Sequence, residues 1–268
     1  MRSFLREVRS DIGTIRRIIR HYKSWVRVLA EFRTLRGWKQ NLNGPLTSIA
    51  LRHGPFVLMR KGTADLGALH EVTFLRVYFP DRWDIETTDT VIDLGAHIGS
   101  FAVFVASKTT RGRVIAYEPQ PENAALLRQN IRRNRLPNVE MVEAAVGGTR
   151  SRRALMLSPH STTSLSFGGP SDAASSLVTV VTLADVFNDH RIDTCDFLKI
   201  DVEGAEFDIL ESEPSLLPRI RKIALEYHDE IRAQHLVSFL EGHGFHVRVI
   251  PDSGRKKIGF LYAQRPPE

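Results

Sequence analysis

The sequence predicts an α/β protein: a mostly parallel sheet ending in an antiparallel C-terminal hairpin, with a helical segment in front. Three observations predict it. From residue 90 onward short apolar strands alternate with helical patterns, which is how a parallel sheet covered on both faces reads. The run Val91-Ile92-Asp93-Leu94-Gly95-Ala96-His97-Ile98-Gly99-Ser100-Phe101 passes from buried strand through a glycine turn to a helix start. Near the end, Phe245–Ile250 and Lys257–Ala263 are strand-like and only a few residues apart. A parallel crossover needs about a dozen residues, so that pair must be antiparallel.

Residues 1–40 form a basic amphipathic helical segment. Leu5, Val8, Ile12, Ile15, Ile19, Tyr22, Val26, Leu29 and Phe32 recur at helical steps, with Arg6, Arg9, Arg16, Arg17, Arg20, Lys23 and Arg27 between them. This helix can pack its stripe on the domain or on a second subunit, or lie on an anionic membrane. Residues 41–89 form a cap: a linker at Asn41–Pro45, short strands around Thr47–Leu51 and Phe56–Met59, and a helix around Leu66–Phe79. Residues 90–268 form the core. Its strands are Thr90–Leu94, Arg113–Glu118, Val139–Val146, Asp196–Asp201 and Ile223–His228, with helices at Glu122–Asn134 and Ala205–Ser212. Ser158–Ser176, rich in Ser, Gly and Pro, reads as a loop.

Charge and cysteine content bound the function. The chain carries a net charge of +6, but residues 1–40 hold +8 of it and the remainder is −2. The body therefore lacks the basic face that nucleic acid would require. A single cysteine, Cys195, excludes an internal disulfide and a multi-cysteine zinc site. No apolar run is long enough for a spanning helix or resembles a secretory leader, so the expected compartment is the cytoplasm, peripheral to a membrane if the N-terminal helix binds one.

In an open α/β sheet, ligands bind beyond the carboxyl ends of the strands. The polar residues expected there are Asp93, Glu118, Glu143 with Ala144, the run Lys199-Ile200-Asp201-Val202-Glu203-Gly204, and Glu226-Tyr227-His228. Gly95 and Gly99 supply a turn that lets a ligand approach bare backbone, and Glu118 stands about 25 residues after Asp93, where a carboxylate suits a ribose diol. A dinucleotide needs G-x-G-x-x-G, but His97 occupies the place of the second glycine and would crowd a pyrophosphate. S-adenosylmethionine has a ribose and no phosphate, and it fits better. The cofactor-binding set is then Asp93, Gly95, Ala96, His97, Gly99, Glu118, Pro119, Asn123, Glu143, Ala144, Ala145 and Asp201. The catalytic candidates are His228 as general base, with Asp201, Glu203, Lys199 and Glu226 around it. Asp201, Glu203, Glu226 and His228 have the types to hold a divalent ion, but their spacing is no recognised metal pattern, and no metal is expected.

These residues resemble a known family. Val91–Gly99, Tyr117-Glu118-Pro119, Ala145-Val146-Gly147 and Leu198-Lys199-Ile200-Asp201-Val202-Glu203-Gly204-Ala205-Glu206 occur in order as in FkbM-type methyltransferases, and Arg60-Lys61-Gly62-Thr63-Ala64-Asp65 is similar to that family's N-terminal element. The resemblance spans about residues 50–264. It implies a class I (Rossmann-like) methyltransferase fold, S-adenosyl-L-methionine as donor, and O-methylation of a hydroxyl on a sugar, glycolipid or polyketide-type metabolite. The family's usual asparagine in the first motif is His97 here. Two other readings use the same fold. A nicotinamide-dependent oxidoreductase is disfavoured by His97, and a non-catalytic binding protein by the polar strand ends. No nucleic-acid partner is expected.

Overall fold

The computed structural model describes residues 12–34, 44–80, 83–157, 165–168, 176–251 and 258–266. Leu5, Val8 and the arginines before residue 12, much of the 41–45 linker and most of 158–176 lie outside them.

Two short helices take the place of the single N-terminal one: α1 at Ile12–His21 and α2 at Trp25–Thr34. The helix stops because the first strand captures its backbone. Tyr22 bridges Leu51, and the Lys23 and Ser24 amides donate to Ala50 O at 2.8 and 3.3 Å. The step at Tyr22 changes which face is buried. Thr14, Ile18, Tyr22 and Val28 face the protein, whereas Val26 is 60% exposed. Arg16, Arg17, Arg20, Lys23 and Arg27 remain outside.

Strands β1 (Leu46–Ala50) and β2 (Phe56–Arg60) form an antiparallel hairpin. Helix α3 (Asp65–His70) continues as a π-turn over Glu71–Leu75. It ends earlier than the expected Phe79 because Arg76 adopts the left-handed conformation, φ 56°, and the Val77 amide closes back on Glu71 O at 3.0 Å.

The core follows: β3 (Thr90–Leu94), α4 (Ser100–Ala106), β4 (Arg113–Tyr117), α5 (Pro121–Asn134) and β5 (Val139–Val142). The expected strand over 139–146 is cut in two. Glu143 turns outward to pair with Arg128 at 3.3 Å, and β6 (Ala145–Val146) leaves for a second sheet with β7 (Ser151–Leu157), β8 (Leu165–Gly168) and β9 (Ser176–Val181). Period-2 reading could not see this break, because the apolar character runs straight through it. Part of the expected loop over 158–176 is thus strand β8, antiparallel to β7 with Leu157 opposite Leu165.

Next come α6 (Leu183–Asp189), β10 (Phe197–Ile200), α7 (Glu206–Glu211), β11 (Lys222–Tyr227), α8 (Glu230–Gly242), β12 (His246–Pro251) and β13 (Gly259–Gln264). The main sheet has the order β12-β13-β11-β10-β3-β4-β5. Its last five strands are parallel, and β13 runs antiparallel to both β11 and β12, as the short link required. The chain winds outward in both directions from the β3–β10 pair, which creates a switch point where a crevice opens at the carboxyl ends.

The cap is fastened to this core by side chains that imitate a strand. Asn130 on α5 accepts from the Leu58 amide at 2.7 Å and donates to Leu58 O and Ile98 O, while Asn134 does the same for Phe56. Without them the outer edge of β2 would be left with unpaired groups under the helix.

Candidate active site

The crevice holds a pocket lined by Gly95, His97, Tyr117, Glu118, Pro119, Asn123, Ala144, Ala145, Val146, Asp201, Val202 and Glu203.

One wall is backbone. The Gly95 and Ala96 amides both donate to Tyr117 O, at 3.0 and 2.9 Å, which locks the turn after β3 against β4. Gly95 has φ 78°, and a Cβ there would lie 1.8 Å from Asp201 O, so the neighbouring strand end itself demands glycine. Gly99 has φ 89° and abuts Leu127, serving helix packing outside the pocket. Ala96 and Asp93 are buried and also stay out of the pocket.

His97 is held in the left-handed region at φ 54°, where asparagine is better tolerated than most residues. Its amide donates to Glu118 Oε2 at 2.7 Å. Its ring Nε2 lies 3.4 Å from Arg60 Nη2 and 3.5 Å from Asp65 Oδ1, and Nδ1 is buried without a hydrogen-bond partner. Arg60, wholly buried, forms a two-pronged pair with Asp65 at 2.9 Å and donates to Asn123 Oδ1 at 2.7 Å. Burial pushes the His97 imidazole down to about 4, against the pull of Asp65, so it is neutral at physiological pH.

Glu118 is buried and accepts from the His97 and Gln120 amides, and from Asn123 Nδ2 at 3.4 Å. A carboxylate has about four acceptor positions, so capacity for a ligand hydroxyl remains. Burial raises its pKa to about 7, opposed by those three donors.

The opposite wall is charged. Lys199 Nζ lies 3.0 Å from Asp93 Oδ1 and 3.8 Å from Asp201 Oδ2, and donates to Gly95 O at 2.7 Å. Burial disfavours both charges of the Lys199–Asp93 pair. It raises the Asp93 carboxyl, while the two carboxylates outweigh it at Lys199 and raise the ammonium. Both residues therefore brace the strand ends, and neither is among the residues that line the pocket. Asp201 also accepts from the Tyr78 hydroxyl at 2.9 Å.

His228 sits between carboxylates, with Nδ1 2.7 Å from Glu206 Oε1 and Nε2 3.2 Å from Glu203 Oε2. Burial opposes its charge, but the bond to Glu206 and the field of Glu203 win and lift the imidazole to about 9. An imidazolium at neutral pH must lose its proton before it can act as the general base expected of it. Glu226 is buried on β11 and does not line the pocket. Glu143 faces solvent with Arg128 instead of lining the pocket, a consequence of the break between β5 and β6.

Of the expected cofactor residues, Gly95, His97, Glu118, Pro119, Asn123, Ala144, Ala145 and Asp201 converge. Glu203, one of the expected catalytic residues, and Tyr117, Val146 and Val202 complete the lining, and Tyr78 and the Arg60–Asp65 pair support it. Tyr78 is 123 residues from Asp201, and nothing local signals the contact. Glu206 falls in the helix expected over Ala205–Ser212, and its partner His228 follows β11.

The topology and the placement of the crevice are those of a class I methyltransferase. Residues 93–247 match the methyltransferase FkbM domain, more than half of the chain, and the protein belongs to that family. It is 29% identical over 204 residues to the 31-O-demethyl-FK506 methyltransferase FkbM of Streptomyces tacrolimicus, covering 64% of this chain and 78% of that one. It is 28% identical over 243 residues to the AMB antimetabolite synthetase AmbE of Pseudomonas aeruginosa, covering 73% of this chain but only 11% of that much longer one. The crystal structure of methyltransferase FkbM from Methylobacillus flagellatus KT shares the fold at 15% identity, with a TM-score of 0.52 over 89% of this chain and 59% of that one. Methyl transfer is the reaction class of the family. No helix among the described residues is long and apolar enough to cross a membrane.

Proposed function

We propose that this protein transfers the methyl group of S-adenosyl-L-methionine to a hydroxyl oxygen of a small metabolite of the sugar, glycolipid or polyketide type. One observation carries the choice of donor. The pocket is lined by three carboxylates, Glu118, Asp201 and Glu203, with a neutral His97 and no lysine or arginine. That lining repels a pyrophosphate and favours a sulfonium with a cationic amino group. The curated relative that acts on 31-O-demethyl-FK506 supports oxygen as the acceptor atom.

The bound donor supplies a methyl group that is already activated. The protein must hold the donor, align the acceptor and take a proton. Glu118 has lone-pair capacity left for a ribose hydroxyl. His97, with Nε2 between Arg60 and Asp65, fixes the turn beside Glu118 through its amide. Aligning oxygen and methyl within the crevice is worth roughly 7–11 kcal/mol. Asp201, steadied by Tyr78 and Lys199, receives the hydroxyl proton as the new bond forms, directly or through Glu203.

Calorimetric titration with S-adenosylhomocysteine, with NAD as comparison, tests the donor. Micromolar binding of the former and none of the latter is expected. Binding of NAD alone would overturn the reading.

A further inference from the structure

Three groups beside the pocket are spaced for an ion that the sequence spacing did not suggest. Asp201, Glu203 and His228 each offer one ligand atom, and these atoms all lie within 4.8 Å of one another. They come from the loop after β10 and from the end of β11, and two of them also line the pocket. We propose that they bind a divalent first-row transition-metal cation, and that this cation holds the acceptor through its hydroxyl and a neighbouring oxygen.

The group behind the imidazole is the independent observation. Glu206 is fully buried and faces His228 Nδ1 at 2.7 Å, and its second oxygen, Oε2, has no hydrogen-bond partner. Its Oε1 also accepts the Gly204 amide at 2.9 Å, which fixes the carboxylate in place. A buried carboxylate that takes the proton of one ring nitrogen sets the tautomer and presents the other nitrogen, here Nε2, as a ligand. Nε2 points to the side where Glu203 lies at 3.2 Å. Asp201 spends Oδ2 on the Tyr78 hydroxyl, which leaves Oδ1 available. Counted as charge, three carboxylates surround one imidazole, and the nearby Lys199 is already engaged with Asp93.

The donor set chooses the ion. Two carboxylates and one imidazole suit Mn²⁺, Fe²⁺ or Zn²⁺ better than the all-oxygen shells that Mg²⁺ and Ca²⁺ prefer. Three protein ligands leave coordination positions open, as in catalytic sites. Those positions define the acceptor class: a hydroxyl with a second oxygen one carbon away, as in a vicinal diol or an α-hydroxy carbonyl compound. Ion binding releases the proton held on Nε2 to solvent. In the transfer, the acceptor O–H bond breaks and its proton passes by way of the Asp201 carboxylate to water, the oxygen bonds to the methyl carbon, and the C–S bond breaks with its electron pair returning to sulfur. This acceptor role rests on the methyl-transfer reading, whereas the ion site does not.

The test is titration of chelator-stripped full-length protein with Mn²⁺, followed by electron paramagnetic resonance of the free ion and by calorimetry, with a parallel S-adenosylhomocysteine titration. One saturable Mn²⁺ site per chain is expected. His228→Gln and Glu203→Gln should weaken it at least tenfold, and Glu206→Gln by 10–100-fold through loss of the imidazole's orientation. His228→Gln and Glu206→Gln should hold S-adenosylhomocysteine within a few-fold of wild type, and the pocket-lining variant Glu203→Gln should keep the wild-type circular dichroism and unfolding midpoint, showing that all three fold. No saturable Mn²⁺ site in the wild-type protein, or equal binding by folded variants, would overturn the inference. Mn²⁺ binding without S-adenosylhomocysteine binding would leave the ion site standing and sink the donor reading instead. The reverse pattern would sink the ion site alone.

Discussion

The two sides of the crevice are built by different means. On the β3–β4 side the wall is backbone: the Gly95 turn, two amides on Tyr117 O, and Glu118 held by main-chain donors. On the β10–β11 side it is an assembly of charged side chains, Lys199, Asp201, Glu203, Glu206 and His228, drawn from two strands, a loop and a helix start. On the proposed reading the first side presents a fixed shape to the donor, and the second presents charge to the reacting groups. Damage to the first should appear in folding and cofactor affinity, damage to the buried Lys199–Asp93 pair in folding, and damage to the pocket-facing carboxylates chiefly in turnover.

The largest effect should come where backbone meets backbone. Gly95→Ala places a Cβ 1.8 Å from Asp201 O on a residue at φ 78°, so the strand ends must part. A loss above about 4 kcal/mol in denaturant unfolding is expected, among the exceptional values for one substitution. Wild-type stability in that variant would mean that the two sides are less tightly joined than described. Next is the pair beneath the pocket. Lys199→Met leaves Asp93, wholly buried, without its partner. The expected cost is about 3–5 kcal/mol, and Lys199→Met with Asp93→Leu should recover much of it, since an apolar pair of similar size avoids the desolvation.

Asp201→Asn sharpens the comparison from the acceptor side. Methyl transfer should fall about a hundredfold, well beyond any loss of S-adenosylhomocysteine affinity, as read in single-turnover and binding assays.

Glu118 gives the smallest effect and a pH signature. With a ribose hydroxyl proposed to bind its carboxylate form, and its pKa raised by burial to about 7, donor affinity should rise with pH and level off above 7, being about tenfold weaker at pH 6. Glu118→Gln should flatten that profile. The same shift acts on stability with the opposite slope. The folded protein holds this proton more tightly than the unfolded chain, whose carboxyl titrates near 4.5, so the unliganded protein loses stability as pH rises from about 4.5 through about 7. The loss is of order 3 kcal/mol and should be absent in Glu118→Gln.

The contrast also governs how much of the molecule could be read from the chain. β3 runs over Thr90–Leu94 as expected, and β4, β10 and β11 begin or end within a residue or so of their expected limits, because local apolar runs and glycines specify them. The backbone half of the site was legible for the same reason. Glu118 and Gly95 are separated in sequence by one helix and one strand, a fixed spacing in this fold. The charged half was legible in its residue types only. That His228 is clamped by Glu206, or that Tyr78 holds Asp201, depends on packing between distant segments. Glu143 and Val26 went astray because periodicity assumes an unbroken element. The strand breaks beside Glu143, and the N-terminal helix breaks before Val26, rotating it outward.

The most direct measurement is the S-adenosylhomocysteine titration of two variants against wild type. Ala144→Trp fills the pocket on the cofactor side, and His228→Gln alters only the acceptor side. Ala144→Trp should abolish binding while His228→Gln keeps it within a few-fold. Binding that survives Ala144→Trp and disappears in His228→Gln would put the donor on the other side of the crevice and contradict the proposed donor site.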